Sequence, residues 1–263
     1  MQRLLGIAFG VGTQSVFAFT VWHLFWFLKG GEPEPGSHGS LLIDGGLAVQ
    51  FAVPHSLLLL PAVRQRLTRV ISPAFYGSFY CVATCASLLL MFGLWEPCSG
   101  VVWRFGGALR TAVEIAFVGS WVALFYSLHL TGLGYQTGLT PWLHWLRGKP
   151  LGPRQFKPRG AYLWLRHPVY LSFLGLVWLA PVVTLDRAVL IGTWTVYIAV
   201  GSYLKDQRLA HYLGDQYRDY QARVSGYPGI GFGPLGHGPI PRPPLRLVEP
   251  PTHSTTPSRR RAA

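Results

Sequence analysis

Hydrophobic residues are gathered into long stretches, and most charged residues lie in the segments between them. Leu4 to Leu28 contains no Asp, Glu, Lys or Arg, and similar apolar stretches cover residues 41–63, 74–95, 110–131, 168–184 and 187–204. A run of about 18 or more apolar residues can cross a bilayer core as a helix, with every backbone group paired inside the segment. The pattern predicts an all-α fold, a polytopic membrane helix bundle with about six transmembrane helices. The last two stretches, 17 and 18 residues long, meet at Leu185-Asp186-Arg187 and read as a helical hairpin. After them, Leu209, Tyr212, Leu213, Tyr217, Tyr220 and Val224 recur at helical spacing with charges between, which predicts a C-terminal amphipathic surface helix over 203–224. Residues 1–228 then form one membrane domain, and 229–263, rich in Pro, Gly and Arg without apolar period, read as a disordered tail.

Composition agrees with this pattern. Half the residues are hydrophobic and 13% are charged, against about a quarter in soluble domains. The net charge of +13 suits either nucleic acid or basic loops at a membrane surface. Arg64, Arg66 and Arg69, and then Arg147, Lys149, Arg154, Lys157, Arg159 and Arg166, all flank apolar stretches, and no nucleic-acid-binding motif is present. The partners expected are membrane lipids, not nucleic acid. Placing the basic loops inside gives an integral protein of a bacterial inner membrane with both termini cytoplasmic. The first stretch is too long for a signal-peptide core, and Gly30-Gly31-Glu32-Pro33-Glu34-Pro35 lacks a small-x-small cleavage pattern, so it reads as a span. Three cysteines cannot build a disulfide framework; Cys81 and Cys85, one turn apart, lack further ligands at metal-site spacing and read as core, with no metal expected.

In this topology four polar groups reach one level near the cytoplasmic side: His55, His129, the Arg166-His167-Pro168-Val169-Tyr170 segment and Asp206. Ionisable groups at membrane depth are costly and by default face the interior. Pro168 opens a helix, so the free N–H groups of its first turn and the side chains of Arg166 and His167 make a place for a carboxylate or phosphate. His23 reads as a packed histidine, Glu114 as a surface partner of Arg110, and the tyrosines of the surface helix mostly as interfacial anchors. Gly229-Ile230-Gly231-Phe232-Gly233 lacks the strand and helix of a dinucleotide loop, and no Walker loop, nucleophile elbow or zincin motif occurs.

Gly160-Ala161-Tyr162-Leu163-Trp164-Leu165-Arg166-His167-Pro168-Val169-Tyr170, followed by Asp206 and by Leu213-Gly214-Asp215-Gln216-Tyr217-Arg218-Asp219-Tyr220, resembles the cofactor-binding half of the isoprenylcysteine carboxyl methyltransferase superfamily of membrane enzymes. Gln50-Phe51 through His55-Ser56, Arg64 and Leu146-Arg147-Gly148 are similar to its NnrU-related branch, which includes methanethiol S-methyltransferases. The resemblance implies S-adenosyl-L-methionine as cofactor, bound within residues 147–222 by Arg154, Gln155, Phe156, Lys157, Tyr162, His167, Pro168, Val169, Tyr170 and Asp206. Physical chemistry adds that Arg166 and His167 suit the cofactor's carboxylate, Asp206 its ammonium, and the faces of Tyr162 or Tyr170 its sulfonium.

Three positions depart from the family's pattern. Lys205 stands where an acid is usual, Ser202 replaces an arginine that grips a prenylcysteine carboxylate, and His129 to Gln136 carries an insertion. The resemblance therefore favours a small thiol substrate, methanethiol giving dimethyl sulfide; either a base takes the thiol proton, for which His129 or His55 is the candidate, or the positive surroundings favour the thiolate. Rival readings are a haem-binding or carotenoid-isomerase-like protein with the two histidines as axial ligands, a membrane component that has kept the fold without the chemistry, or an enzyme that methylates a lipid or isoprenoid.

Overall fold

The computed structural model describes residues 1–33, 35–152 and 155–237. Ten helices are found among them. Helix α1 (Gln2–Lys29) has 28 residues, about 42 Å at 1.5 Å per residue, more than the roughly 30 Å hydrocarbon core demands. Helix α2 (Leu41–Leu57) starts at Ser40, whose hydroxyl accepts the Ile43 amide, and carries Pro54 near its end. The chain bends there by 72° into α3 (Pro61–Leu67), with Pro61 in the first turn where its missing N–H costs nothing. Next come α4 (Pro73–Leu94), a short strand β1 (Val101–Arg104), and α5 (Gly107–Thr131), which stops at Gly132 in the left-handed region. Two short helices, α6 (Leu133–Gln136) and α7 (Leu139–Leu146), lead to a tight turn at Gly160–Leu163. Helix α8 (Pro168–Trp178), strand β2 (Val182–Thr184), α9 (Leu185–Leu213) and α10 (Asp215–Arg223) complete the fold.

The protein is an all-α polytopic bundle. Among the described residues four helices are long and apolar enough to cross a membrane, five if α2 and α3 count as one bent span. The about six spans read from the sequence are reduced at 168–184: α8 has 11 residues, and Val182–Thr184 pairs antiparallel with β1. Periodicity alone does not separate a short buried strand from helix in an unbroken apolar run. The chain also departs from expectation after Tyr203. Helix α9 runs unbroken for 29 residues to Leu213, and Gly214, at positive φ, turns the chain into the nine-residue α10, so the surface helix is shorter than 203–224.

Helix α4 packs between α1 and α2, α2 also lies on α9, α8 lies on α5, and α7 docks on α1 and α4. The core between them is built from Leu24, Leu28, Leu88, Met91, Phe117, Trp121, Leu176, Leu190 and Trp194. Large apolar side chains such as Phe19, Trp22, Ile115, Val122 and Val196 face outward, as in a bundle whose solvent is lipid. One end of the bundle is held by β1 and β2 and by ion pairs of Glu32 with Arg104 and Arg110; Arg110 also pairs with Glu114 at 3.1 Å. The other end gathers the start of α1, the end of α2, the starts of α4 and α8 and the end of α9, as Tyr76 to Leu58 and Arg208 to Leu59 hydrogen bonds show. This is the basic end, and the candidate site lies there.

Candidate active site

Pro168 begins α8 and places His167 just before it, while α9 brings Asp206 to the same point. Both side chains are buried, as is Arg166. The Arg166 guanidinium lies 2.9 Å from Asp206 Oδ2 through one terminal nitrogen and 3.1 Å through Nε. Its other terminal nitrogen donates to the carbonyls of Val224 and Gly236, both at 2.7 Å. Asp206 also accepts from the Tyr217 hydroxyl. A buried ion pair needs such additional partners to offset its desolvation. Arg166 thus holds the fold together, and its donors face the protein's own carboxylate and carbonyls, not the open position that a ligand carboxylate would need.

The backbone just before α8 is likewise paired with the chain itself. The backbone N–H groups of Arg166 and His167 donate to the carbonyls of Ser225 and Gly226. Residues 225–237 fold back over this point, with the Gly226 amide bonded to the Leu235 carbonyl at 2.9 Å and Tyr227 tilted against the His167 ring. Residues 229–237, read from the sequence as the start of a tail, therefore pack on the site; residues 238–263 lie outside the described residues.

His167 Nε2 is 3.1 Å from Asp206 Oδ2, and Nδ1 meets no hydrogen-bond partner among the described residues. Burial pushes the imidazole below its ordinary value, with Asp206 opposing and Lys205 and Arg166 reinforcing the effect. Burial thus disfavours the charged form of His167, and its Nδ1 stays without a partner among the described residues. Beside it, the Lys205 ammonium lies 5.2 Å from the Tyr170 ring centroid and 5.7 Å from that of Tyr162. Two aromatic faces converging on one cation form a cage for positive charge. Tyr162 is buried, which pushes its hydroxyl up to about 12, so it stays neutral.

A second cluster lies further into the bundle. His55 Nδ1 is 2.6 Å from the Tyr197 hydroxyl, which also accepts from Ser56 at 3.2 Å. Phe51 and Tyr80 pack on the His55 ring, and Tyr80, Tyr170, Tyr197 and Arg208 are electrostatic neighbours. On α9, Tyr197, Gly201 and Lys205 follow at intervals of four, so one line of that helix connects this cluster to the cage. At Gly201 a side chain would meet the Tyr170 hydroxyl.

The other residues selected from sequence are placed as follows. Phe156 stacks edge-on against Tyr217 and Tyr220, while its neighbours Gln155 and Lys157 are exposed. Pro168 is buried and Val169 packs on the core. Arg154 lies outside the described residues. His129 is exposed on α5 and is not brought to the cluster that holds His55. Tyr217 and Tyr220, read as surface anchors, are buried and bonded to Asp206 and to the Tyr162 carbonyl. Sequence reasoning missed Tyr80, Tyr197 and Tyr227. The four-residue interval from Tyr197 through Gly201 to Lys205 was the available signal.

The residues that build both clusters and the fold-back segment fall within 43–237, the span matched by the family described as NnrU protein. The chain belongs to the NnrU family. A relative named Methanethiol S-methyltransferase 1, from Bradyrhizobium diazoefficiens, is 30% identical over 85% of this chain and 81% of its own length. Methanethiol S-methyltransferase of Mycobacterium tuberculosis is 29% identical over 86% of this chain and 96% of its own. The NnrU-family likeness extends to Nurim of Rattus norvegicus, 29% identical over 80% of this chain and 87% of that one. No solved structure matches the chain significantly.

Proposed function

We propose that this NnrU-family chain is an S-adenosyl-L-methionine-dependent membrane methyltransferase acting on a small thiol, with methanethiol converted to dimethyl sulfide. The relatives' names support the reaction class. The observation that carries the cofactor is the pair of tyrosine faces, Tyr162 and Tyr170, converging on a cation beside a buried histidine with an unpartnered nitrogen. When bound, the cofactor supplies a methyl group activated on a positively charged sulfur, which such faces suit. Tyr162 and Tyr170 would hold that charge and His167 Nδ1 would face one of its polar groups. Arg166 and Asp206 would shape this place from behind.

Methylation of a thiol replaces its S–H bond by S–C, and the proton must leave. An alkyl thiol is a weaker acid than cysteine, with its pKa of about 8.5. His55 is the base in this reading, held by Tyr197 and lying along the α9 face that leads from the cage. A haem held by two axial histidines lacks support in the geometry, since His129 is exposed away from His55. With the basic end cytoplasmic, as in a bacterial inner membrane, a charged cofactor enters from the cytosol and an apolar thiol from the bilayer.

Calorimetry on the purified protein tests the reading. S-adenosyl-L-methionine is expected to bind the parent chain, to bind His55→Asn comparably, and to be lost in Tyr170→Leu, with dimethyl sulfide in the headspace of the parent and far less from His55→Asn. Absence of binding by the parent chain would overturn the cofactor assignment.

A further inference from the structure

Two neighbouring cavities open at the basic end, on the face where α1 meets α7. One, of 610 Å³, is lined by Gln2, Arg3, Trp145, Leu146, Arg147 and Gly148. The other, of 440 Å³, shares Gln2 and Trp145 but is otherwise walled by Leu5, Gly6, Phe9, Ser72 and Phe75. They form one cleft whose polarity changes along its length, from the guanidinium groups of Arg3 on α1 and Arg147 at the end of α7 to apolar and aromatic side chains at Leu5, Phe9 and Phe75. Its floor is built: Phe75 lies edge-on to the Trp145 ring at 4.8 Å, and Trp145 lies so close to Gly6 that a Cβ there would run into the indole.

Among the described residues neither Arg3 nor Arg147 makes an ion pair. Arg3 uses one nitrogen on the Leu146 carbonyl at 3.4 Å and is otherwise exposed, as is Arg147. Residues 1–31, 45–95 and 115–185 contain no Asp or Glu, so the elements that build the cleft bring no carboxylate to either arginine. A basic head above an apolar, aromatic-walled groove matches one kind of molecule: an amphiphile with an anionic head and a hydrocarbon chain. Basic pockets between membrane helices bind such headgroups.

We propose that this cleft is a specific site for an anionic phospholipid, with the phosphate between Arg3 and Arg147 and an acyl chain lying over Leu5, Phe9 and Phe75. The site lies on α1, α7 and the start of α4, shares no lining residue with the Tyr162–Tyr170 cage, and does not depend on the reaction proposed above. The lipid fills the gap beside α7 and ties that helix to α1 from the outside.

Native mass spectrometry of the full chain in detergent, titrated in turn with dioleoyl phosphatidylglycerol, dioleoyl phosphatidylcholine and inorganic phosphate, tests the site. Phosphatidylglycerol is expected to bind with one-to-one saturation, and the Arg3→Gln/Arg147→Gln pair to weaken it about tenfold or more. Arg66→Gln/Arg223→Gln, which removes the same charge from exposed positions outside the cleft, is expected to leave it within about twofold. Equal losses in both pairs would show diffuse attraction to the whole basic end and overturn the site. So would equal binding of phosphatidylcholine, or protection from phosphatidylglycerol by inorganic phosphate at matched concentration, which would make the ligand a free anion. Both arginine pairs change exposed side chains only, and an unchanged melting temperature without lipid confirms that each is folded.

Discussion

Nδ1 of His55 lies 2.6 Å from the hydroxyl of Tyr197, so a histidine on α2 and a tyrosine on α9 form one hydrogen-bonded unit inside the bundle. If that unit handles the thiol proton, His55→Asn should lower kcat by about 10²–10⁴, the usual range for loss of a general base, with cofactor affinity kept. Tyr197→Phe removes the partner and leaves the base, and the expected loss is about tenfold, the equivalent of one hydrogen bond. Headspace quantification of dimethyl sulfide across pH reads both. An unchanged rate in His55→Asn would remove the residue from the chemistry.

Lys205 competes for the space between Tyr162 and Tyr170. Lys205→Met keeps the bulk and removes the cation, and S-adenosyl-L-methionine should then bind about tenfold tighter, within the range that a desolvated cation–π contact supplies. Calorimetry measures this directly. Weaker binding in the variant would mean that the ammonium assists the ligand.

The buried Arg166–Asp206 pair makes a different prediction, for stability. Removing one partner of such a pair leaves a charge uncompensated, at a cost of about 3–5 kcal/mol. Asp206→Asn should lower the melting temperature by that measure, and Arg166→Met should in addition release residues 225–237 to limited proteolysis, because the Val224 and Gly236 carbonyls lose their donor.

At Gly10 a Cβ would enter the indole of Trp142, whose Nε1 donates to the Gly6 carbonyl at 2.9 Å, whereas at Gly12 the space is open. Gly10→Ala is expected to destabilise by about 1–3 kcal/mol, as overpacking does. Gly12→Ala should stabilise by up to about 1 kcal/mol through helix propensity. A thermal-unfolding comparison of the two separates close packing of α7 on α1 from a general effect of glycine loss.

The bundle was legible in the sequence because a long uncharged run such as Leu4 to Leu28 permits little besides a spanning helix. The run at 168–184 was not, since an unbroken apolar stretch has no polar face to set its period, and the β1 pairing that makes Val182–Thr184 a strand is a contact far along the chain. Counting residues inward from the loops put His55, His167 and Asp206 in one half of the bundle, where the structure holds His167 with Asp206 and His55 in a separate cluster with Tyr197. His129 shares that depth yet points outward, because depth says nothing about which side of a helix a residue occupies. The surroundings of Arg166 were illegible for a related reason. Its donors are taken by carbonyls of residues 224 and 236, and backbone acceptors leave no mark in the side-chain sequence.

That wrap of carbonyls also orders events during synthesis. Arg166 is made 70 residues before Gly236, so its guanidinium waits, incompletely paired, until nearly the last described residue has emerged. Elements made early can settle in the bilayer while this charge is still hydrated at the surface, and its burial becomes one of the closing steps of folding. A chain cut short at residue 228 would contain every helix-forming segment described and lack the Gly236 carbonyl that Arg166 uses.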